Sequence, residues 1–176
     1  TINIKGTLLD LTKPKIMGIL NITPDSFFDG GEYNSEDKIL NQVEKMLSEG
    51  ADIIDIGGHS SRPGAEKLTI KKETERVIPI IKLIAEKFKN VIISVDTFRS
   101  EIARKAIEAG ASVINDISGG DLDKKMYEVA GELKVPYIIM HMKGVPSNMQ
   151  NDTEYDNVIF DIIKNLSYKI DLAKKA

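Results

Sequence analysis

Short apolar runs alternate along this chain with longer segments in which apolar residues recur every three or four positions. The short runs are rich in isoleucine and valine. Near-continuous runs of this kind are typical of strands that are buried on both faces of a parallel sheet. We therefore predict five strands, at residues 16–20, 53–56, 91–95, 113–114 and 137–140.

The longer segments carry apolar stripes with the spacing of one face of an amphipathic helix. Pro79 lies inside the second stripe, so we predict a kink or a break in that helix. Residues 2–11 form a separate pattern, which predicts a small hairpin that caps the floor of the fold. The five stripes are Ile39, Val43, Met46 and Leu47; Ile70, Thr74, Val77, Ile78, Ile81 and Ile84; Ile102, Ala106 and Ile107; Leu122, Met126 and Val129; and Val158, Ile162, Ile163, Leu166 and Ile170.

Five βα units fit either an open doubly wound sheet or a (β/α)8 barrel. The dinucleotide-binding fingerprint and the P-loop are both absent from the sequence. Polar residues gather at the predicted strand ends, which is the rim where barrels build their active sites. We therefore predict an α/β fold of the TIM (β/α)8 barrel class, with residues 1–176 in a single domain. Eight units usually need about 250 residues, so about five of the eight are expected here and the domain is expected to be incomplete at its C-terminus.

A repeated connection between helix and strand supports the prediction of βα units. A Gly-Ala pair stands between a predicted helix and the next strand at Gly50-Ala51 and again at Gly110-Ala111. Glycine just past a helix end adopts the left-handed conformation at little cost. The repeated joint indicates a repeated βα unit.

Composition narrows the class of function. The formal net charge of −3 argues against a nucleic-acid binder, which usually carries a basic patch. The absence of cysteine excludes disulfides and thiolate metal sites, and two histidines make a His-based metal site implausible. No apolar run reaches the length of a membrane span and no secretory signal pattern opens the sequence, so a cytoplasmic protein is expected.

Two glycine-rich polar segments follow the first and second predicted strands. Residues 21–31 are either a functional loop or a solvated turn, and the spacing of their residues favours neither interpretation over the other. Residues 57–66 contain hydroxyl groups and Arg62, whose planar fork suits a carboxylate or a phosphate. The structural alternative is that Arg62 pairs with Glu66, but the composition of the segment favours function.

Single polar residues end three further strands. Asp96 would accept paired N–H donors from a heterocycle, or it would cap the following helix. Asn115 offers both a donor and acceptors, or it is a turn residue beside Asp116. We predict that Asp55 faces inward with a structural role, and that His141 is a structural histidine with satisfied hydrogen bonds.

Taken together, five motifs in this order resemble the dihydropteroate synthases over essentially the whole chain. The resemblance implies a (β/α)8 barrel and a transferase of folate biosynthesis. Its reaction joins 6-hydroxymethyl-7,8-dihydropterin pyrophosphate to p-aminobenzoate, and Mg2+ assists the departure of pyrophosphate. It also implies a target of sulfonamides. The motifs are residues 17–27 (MGILNITPDSF), 55–65 (DIGGHSSRPGA), 94–97 (SVDT), 114–120 (INDISGG) and 140–144 (MHMKG).

The resemblance implies a role for each residue of this chain that matches a functional position in the family's motifs. The resemblance makes Asn21 the Mg2+ ligand, shared with the pyrophosphate oxygens. Asp96, Asn115 and Arg62 are the expected catalytic residues, and Asp96 and Asn115 would bind the pterin edge. The remaining substrate-binding residues are expected in the loops over the pyrophosphate and the aminobenzoate pocket, at Ser61 and Arg62 with Phe27 and Pro63.

Two departures from the family pattern stand in the second motif, His59 in place of a usual Glu and Ser61 in place of a usual Thr. The family's polar residues on its sixth, seventh and eighth strands have no counterpart here. Two other functions stay open: the pterin-binding module of a corrinoid-dependent methyltransferase, and a non-catalytic partial barrel. The expected partners are the two small-molecule substrates, without nucleic acid or membrane, and a homodimer of the full-length protein is left open.

Overall fold

The computed structural model describes residues 1–22, 32–58, 68–146, 148–149, 151 and 153–176. In these ranges all five predicted strands and all five predicted helices are present. The strands are β1 (Ile2–Ile4), β2 (Thr7–Leu9), β3 (Met17–Asn21), β4 (Ile53–Gly57), β5 (Ile92–Asp96), β6 (Val113–Asp116) and β7 (Tyr137–Ile139), and the helices are α1 (Glu32–Ser48), α2 (Ile70–Lys87), α3 (Ser100–Ala109), α4 (Lys125–Leu133) and α5 (Val158–Lys175).

Strands β3 to β7 form one sheet in which each strand pairs in parallel with the next strand along the chain. A doubly wound sheet would reverse its strand order at a switch point, whereas a barrel keeps the strands in chain order. The observed order is therefore that of a barrel, which agrees with the predicted fold class.

The predicted hairpin is confirmed as the antiparallel pair β1–β2. Lys5 Nζ donates to the carbonyl of Gly110 at 2.6 Å, which places the hairpin at the amino end of β6, on the floor.

The core lies between the sheet and the helices. Alternate strand residues such as Leu20, Ile54 and Ile93 are buried there against the apolar stripes of the helices. Each fully buried aliphatic side chain of this size contributes about 1.5–3 kcal/mol relative to an exposed one. Because side chains alternate across a strand, the intervening residues face the other side of the sheet, which is the interior of a barrel.

Pro79 does not break α2, which runs without interruption from Ile70 to Lys87. Of the predicted kink or break, the break is therefore wrong, and the kink stays a prediction. The ring of Pro79 removes the donor to the carbonyl of Glu75. Both residues lie on the exposed face of the helix, where water can hydrate that carbonyl.

The predicted glycine joints have the expected geometry. Gly50 and Gly110 have φ angles of 103° and 126°, and the amide of the following alanine donates to the carbonyl five residues before it in each case. Helix α4 ends with the same pattern of hydrogen bonds, but there Lys134 takes the left-handed position with φ 52°.

None of the helices within the described ranges combines the length and hydropathy that a membrane span requires.

The stripe predicted for α5 is only partly buried. Val158, Ile163 and Ile170 are all more than two-fifths exposed. The one fully buried residue of α5 is Lys169, whose Nζ donates to the carbonyls of Ser118 and Met140. The helix is therefore held to the sheet partly by a buried ammonium group.

Candidate active site

The strand register aligns the polar residues that end the strands. Asn21, Gly57, Asp96 and Asn115 are successive partners across β3 to β6, and we call them the upper layer. Partners in one register position face the same side of the sheet. Four neighbouring strands therefore present their last interior-facing positions at the carboxyl rim.

Residues two positions earlier form a second layer beneath the first. Ile19, Asp55, Ser94 and Val113 are partners across the same four strands, and we call them the lower layer. Asp55 and Ser94 are buried, with 3% and 0% exposure. The interior beneath the rim is thus polar at its centre, where a purely structural barrel core would carry apolar side chains.

Gly57 allows the side chains on either side of it to approach each other. A Cβ atom placed on Gly57 would lie 3.3 Å from Asp96 Oδ2 and 3.4 Å from Asn21 Oδ1. These two oxygens therefore border one small space in the upper layer, which is open because residue 57 has no side chain. Two convergent oxygens suit N–H donors or a hard cation.

Asp96 is the most perturbed acid of the site. Burial, followed by the nearby carboxylates of Asp55, Glu73 and Asp116, raises the pKa of its carboxyl from 3.8 to about 7. Such a cluster attracts a ligand that carries N–H donors or positive charge. The helix-capping alternative for Asp96 is wrong, because α3 begins after Arg99 and its first amide, at Ser100, donates to Asp123 instead.

Asn115 connects the two layers. Its Nδ2 donates to Asp55 Oδ2 at 2.9 Å, which fixes the amide orientation. The other oxygen of Asp55 and the hydroxyl of Ser94, its register partner on β5, are both buried. Burial raises the pKa of the Asp55 carboxyl, and hydrogen bonds from Ser94 and Asn115 act in the opposite direction. Asp55 therefore faces inward, as we predicted, and it supports the amide of Asn115 from below.

Asp116 has the turn role that we considered for Asn115. Its carboxylate accepts from the amides of Ser118 and Gly120, from the Ser118 hydroxyl and from Tyr137. Asn115 itself is the third residue of β6 and points to the interior side. The turn interpretation of Asn115 is therefore wrong, and its amide is left for the site.

His141 follows β7 and agrees with the prediction of a satisfied structural histidine. Nδ1 lies 2.9 Å from Asn165 Oδ1, and Nε2 lies 3.0 Å from the hydroxyl of Tyr155. Both ring nitrogens are thus engaged within the protein. The described residues contain no group of three or more His, Cys, Asp or Glu side chains arranged to hold a metal ion.

Several residues that the sequence analysis singled out lie outside the described residues. The structure does describe a charged residue that the sequence analysis did not single out, Glu73, which is 1% exposed. A signal for it was present in the sequence. Glu73 lies within the apolar stripe of α2, three residues after Ile70 and four before Val77, where only a paired charge is stable. The residues outside the described ranges are Phe27, Ser61, Arg62 and Pro63, together with His59.

The fold and the polar rim define a ligand-binding α/β protein of the barrel class. A family model described as "Pterin binding enzyme" matches residues 17–176, and the chain belongs to this family.

Individual relatives are also similar to this chain. A dihydropteroate synthase of Synechocystis sp. is 47% identical over 169 residues, covering 96% of this chain and 58% of the relative. The crystal structure of the Yersinia pestis dihydropteroate synthase with a sulfonamide drug complex has a TM-score of 0.88 and 40% identity, and covers 99% of this chain and 62% of that one. The Xanthomonas albilineans dihydropteroate synthase with 4-aminobenzoic acid has a TM-score of 0.85 and 35% identity, with coverage of 99% and 61%. The chain therefore spans about three-fifths of the length of these relatives.

Proposed function

We propose that this chain is part of a dihydropteroate synthase. The proposed reaction breaks the C–O bond between the pterin methylene carbon and pyrophosphate, and forms a C–N bond to the amine of p-aminobenzoate, which loses a proton. The single observation that carries the proposal is the upper layer, where Asp96 and Asn115 converge at the rim of a chain that belongs to the pterin-binding family. The named relatives favour the synthase over the methyltransferase module.

The polar layers suit recognition of a pterin edge. A pterin presents neighbouring N–H donors, and a carboxylate can accept two of them at once. Asp96 supplies that carboxylate, and Asn115, whose Nδ2 is committed to Asp55, has its amide oxygen left as an acceptor. Positive charge develops on the pterin as pyrophosphate departs. The neighbouring carboxylates of Asp55 and Glu73 favour that charge through the same electrostatics that raise the pKa of Asp96.

The residues that would bind pyrophosphate and p-aminobenzoate are assigned by resemblance to the dihydropteroate synthases. Ser61 and Arg62 are expected to meet the departing pyrophosphate, and Phe27 and Pro63 are expected to line the aminobenzoate pocket. These residues lie outside the described ranges, so their roles rest on matched positions in the motifs.

The described donor set fits a Mg2+ site in which the substrate supplies further ligands. Mg2+ prefers oxygen ligands and commonly uses one or two protein oxygens beside water and phosphate. Asn21 Oδ1, which faces the space over Gly57, is such an oxygen. When bound there, Mg2+ would neutralise charge on the departing pyrophosphate. The same proposal includes one pterin-binding barrel domain over residues 1–176, acting in the cytoplasm.

The test is pyrophosphate release from dihydropterin pyrophosphate with Mg2+, measured with and without p-aminobenzoate. The complete natural gene product and the 176-residue chain are assayed side by side. We expect aminobenzoate-dependent release by the gene product, abolished by Asp96→Ala and unchanged by Lys164→Met, an exposed residue of α5. Well-folded gene product without such release would contradict the proposal. Tight methyltetrahydrofolate binding in its place would favour the methyltransferase module, and binding of neither would favour a non-catalytic barrel.

A further inference from the structure

The carboxyl end of β4 rests directly on the first two turns of α2. A Cβ atom on Gly58 would lie 2.6 Å from Val77 Cγ2 and 3.3 Å from Glu73 Cγ, so the backbone at Gly58 is in contact with the helix. Arg76 adds a long hydrogen bond to the Gly58 carbonyl, at 3.4 Å. Gly58 thus has a fixed position on α2, and residues 59–67 follow it.

The residue that follows this segment is held by a different arginine. Arg99, just before α3, donates from one guanidinium nitrogen to the carbonyl of Leu68 at 2.5 Å and from the other to Glu73. Leu68 is itself buried, with 5% exposure. Both flanks of residues 59–67 are therefore tied to Glu73 and its immediate neighbours on α2.

Glu73 also reaches the residue next to Asp96. Its second carboxylate oxygen accepts a 2.7 Å hydrogen bond from the hydroxyl of Thr97. The amide of Thr97 donates to the carbonyl of Asn115 at 3.0 Å. A continuous series of contacts thus joins Leu68, through Arg99 and Glu73, to the backbone turn that carries Asp96.

We propose that Arg99 is a positioning residue, which through Glu73 fixes the Asp96–Thr97 turn relative to Gly58 and Leu68. Its consequence for catalysis rests on the proposed function, in which Asp96 holds the pterin. Arginine is needed at position 99 because one planar guanidinium makes two divergent contacts. A lysine ammonium at this position would hold the Glu73 carboxylate or the Leu68 carbonyl, but would not hold both in the same geometry.

Arg99 differs from an ordinary ion-pairing residue in its surroundings. The Glu73 side chain is 1% exposed and that of Arg99 is 19% exposed. In the Arg104–Glu132 pair between α3 and α4 the two side chains are 40% and 60% exposed. Arg104 therefore supplies a matched control, an arginine–carboxylate pair remote from the rim.

The experiment compares Arg99→Lys, the double variant Glu73→Gln with Arg99→Met, and Arg104→Met, all in the complete gene product. The double variant removes both buried charges together, so it avoids leaving Glu73 unpaired. We expect kcat/KM for dihydropterin pyrophosphate to fall about 10-fold to 100-fold in Arg99→Lys, since small displacements of a positioned group have effects of this size. The double variant should melt close to the wild type yet stay as impaired as Arg99→Lys. Arg104→Met should keep wild-type kinetics.

Hydrogen exchange provides a readout that does not depend on activity. Amides of residues 68–72 and 96–99 should exchange faster in Arg99→Lys than in the wild type, and at wild-type rates in Arg104→Met. Unchanged exchange in both segments would overturn the inference. It would also be overturned if the double variant recovered kcat/KM along with its melting temperature, since the role of the pair would then be merely structural. An inactive wild type would refute the proposed synthase function instead, and exchange would still decide the role of Arg99.

Discussion

Asn115 and Asp55 are joined by a 2.9 Å hydrogen bond although their strands, β6 and β4, are separated in the sheet by β5. The bond crosses the interior side of β5 and connects the upper layer to the lower one. It orients the amide of Asn115 and supplies a donor to one oxygen of a buried carboxylate. The pterin-binding surface that we propose is thus already ordered in the protein itself.

The first prediction concerns this bond. Asn115→Ala should lower the free energy of unfolding by about 1–3 kcal/mol, because the buried carboxylate of Asp55 loses a hydrogen-bond donor. Asn115→Asp should lower it further at pH 8, where two carboxylates would face each other, and by less at pH 4, where protonation relieves the repulsion. Urea denaturation at both pH values measures these differences. A pH-independent effect of Asn115→Asp would argue against the contact.

The second prediction follows from the pKa of Asp96, which the fold raises from 3.8 to about 7. Well below pH 3.8 the carboxyl is protonated in both the folded and the unfolded chain, so it has no net effect on stability. As the pH rises towards 7 the unfolded chain ionises freely while the folded chain resists, and the folded state is progressively destabilised. Above pH 7 the penalty is complete. Asp96→Asn should therefore stabilise the folded chain above pH 7, by up to about 4 kcal/mol, and have little effect below pH 4.

Thermal melts of the wild type and Asp96→Asn between pH 3.5 and 8.5 test this sign. The difference in melting temperature should grow between pH 4 and 7 and then level off. Asp123→Asn provides a contrast, because burial raises the pKa of Asp123 but hydrogen bonds from Ser100 and Lys125, with the charge of Lys125, together lower it below its ordinary value. That variant should destabilise the chain near neutral pH. A destabilising Asp96→Asn at pH 8 would show that Asp96 has a stabilising partner.

The sequence predicts the elements of this fold because burial on both faces imposes apolar runs on the strands and stripes on the helices. The polar strand ends Asn21, Asp96 and Asn115 are also visible in it, since the carboxyl ends of parallel strands meet at one rim. The buried positions of Glu73 and Lys169 were missed. Each depends on a partner distant in sequence, such as Arg99 for Glu73, and periodicity within one helix or strand carries no information about such partners.

The third prediction concerns the residue with positive φ that ends α3 and α4. Lys134 has a left-handed φ of 52°, which disfavours a side chain, so Lys134→Gly should raise the free energy of unfolding by about 1 kcal/mol. Gly110→Ala should lower it, because φ is 126° and the new Cβ would lie 2.7 Å from Ala85 Cβ. Glu128→Gly, on the exposed face of α4, should cost about 1 kcal/mol and controls for the general effect of glycine in a helix. Chemical denaturation of the three variants measures these differences. A lower free energy of unfolding for Lys134→Gly would contradict the prediction.

The fourth prediction concerns the buried ammonium of Lys169. Its Nζ pairs with Asp121 at 2.8 Å and donates to the carbonyls of Ser118 and Met140. Lys169→Met should cost about 1–3 kcal/mol, because two carbonyls of the protein lose their donor, while Asp121 is exposed enough to be hydrated. Lys164→Met, one turn away on the exposed side of α5, should change stability by less than about 0.5 kcal/mol. Equal effects of the two substitutions, measured by urea denaturation, would argue against a structural role for Lys169.

The fifth prediction concerns the apolar surface of the 176-residue chain when it is produced alone. Ile159, Phe160 and Ile163 at the start of α5 are each about three-fifths or more exposed, and β3 and β7 form the two edges of the parallel sheet. Exposed edges and contiguous apolar patches promote association. We therefore expect this polypeptide to self-associate or to unfold in part, as the barrel class predicts for an open sheet.

Sedimentation velocity over a range of concentrations, combined with thermal melts, tests the fifth prediction. Ile163→Lys should reduce association because it places a charge within the apolar patch. Lys164→Glu, a charge change at the neighbouring position, should leave association unchanged and so controls for net charge. A monodisperse monomer with a sharp cooperative melt would contradict the prediction. It would show that the five βα units pack stably without further elements against β3, β7 and α5.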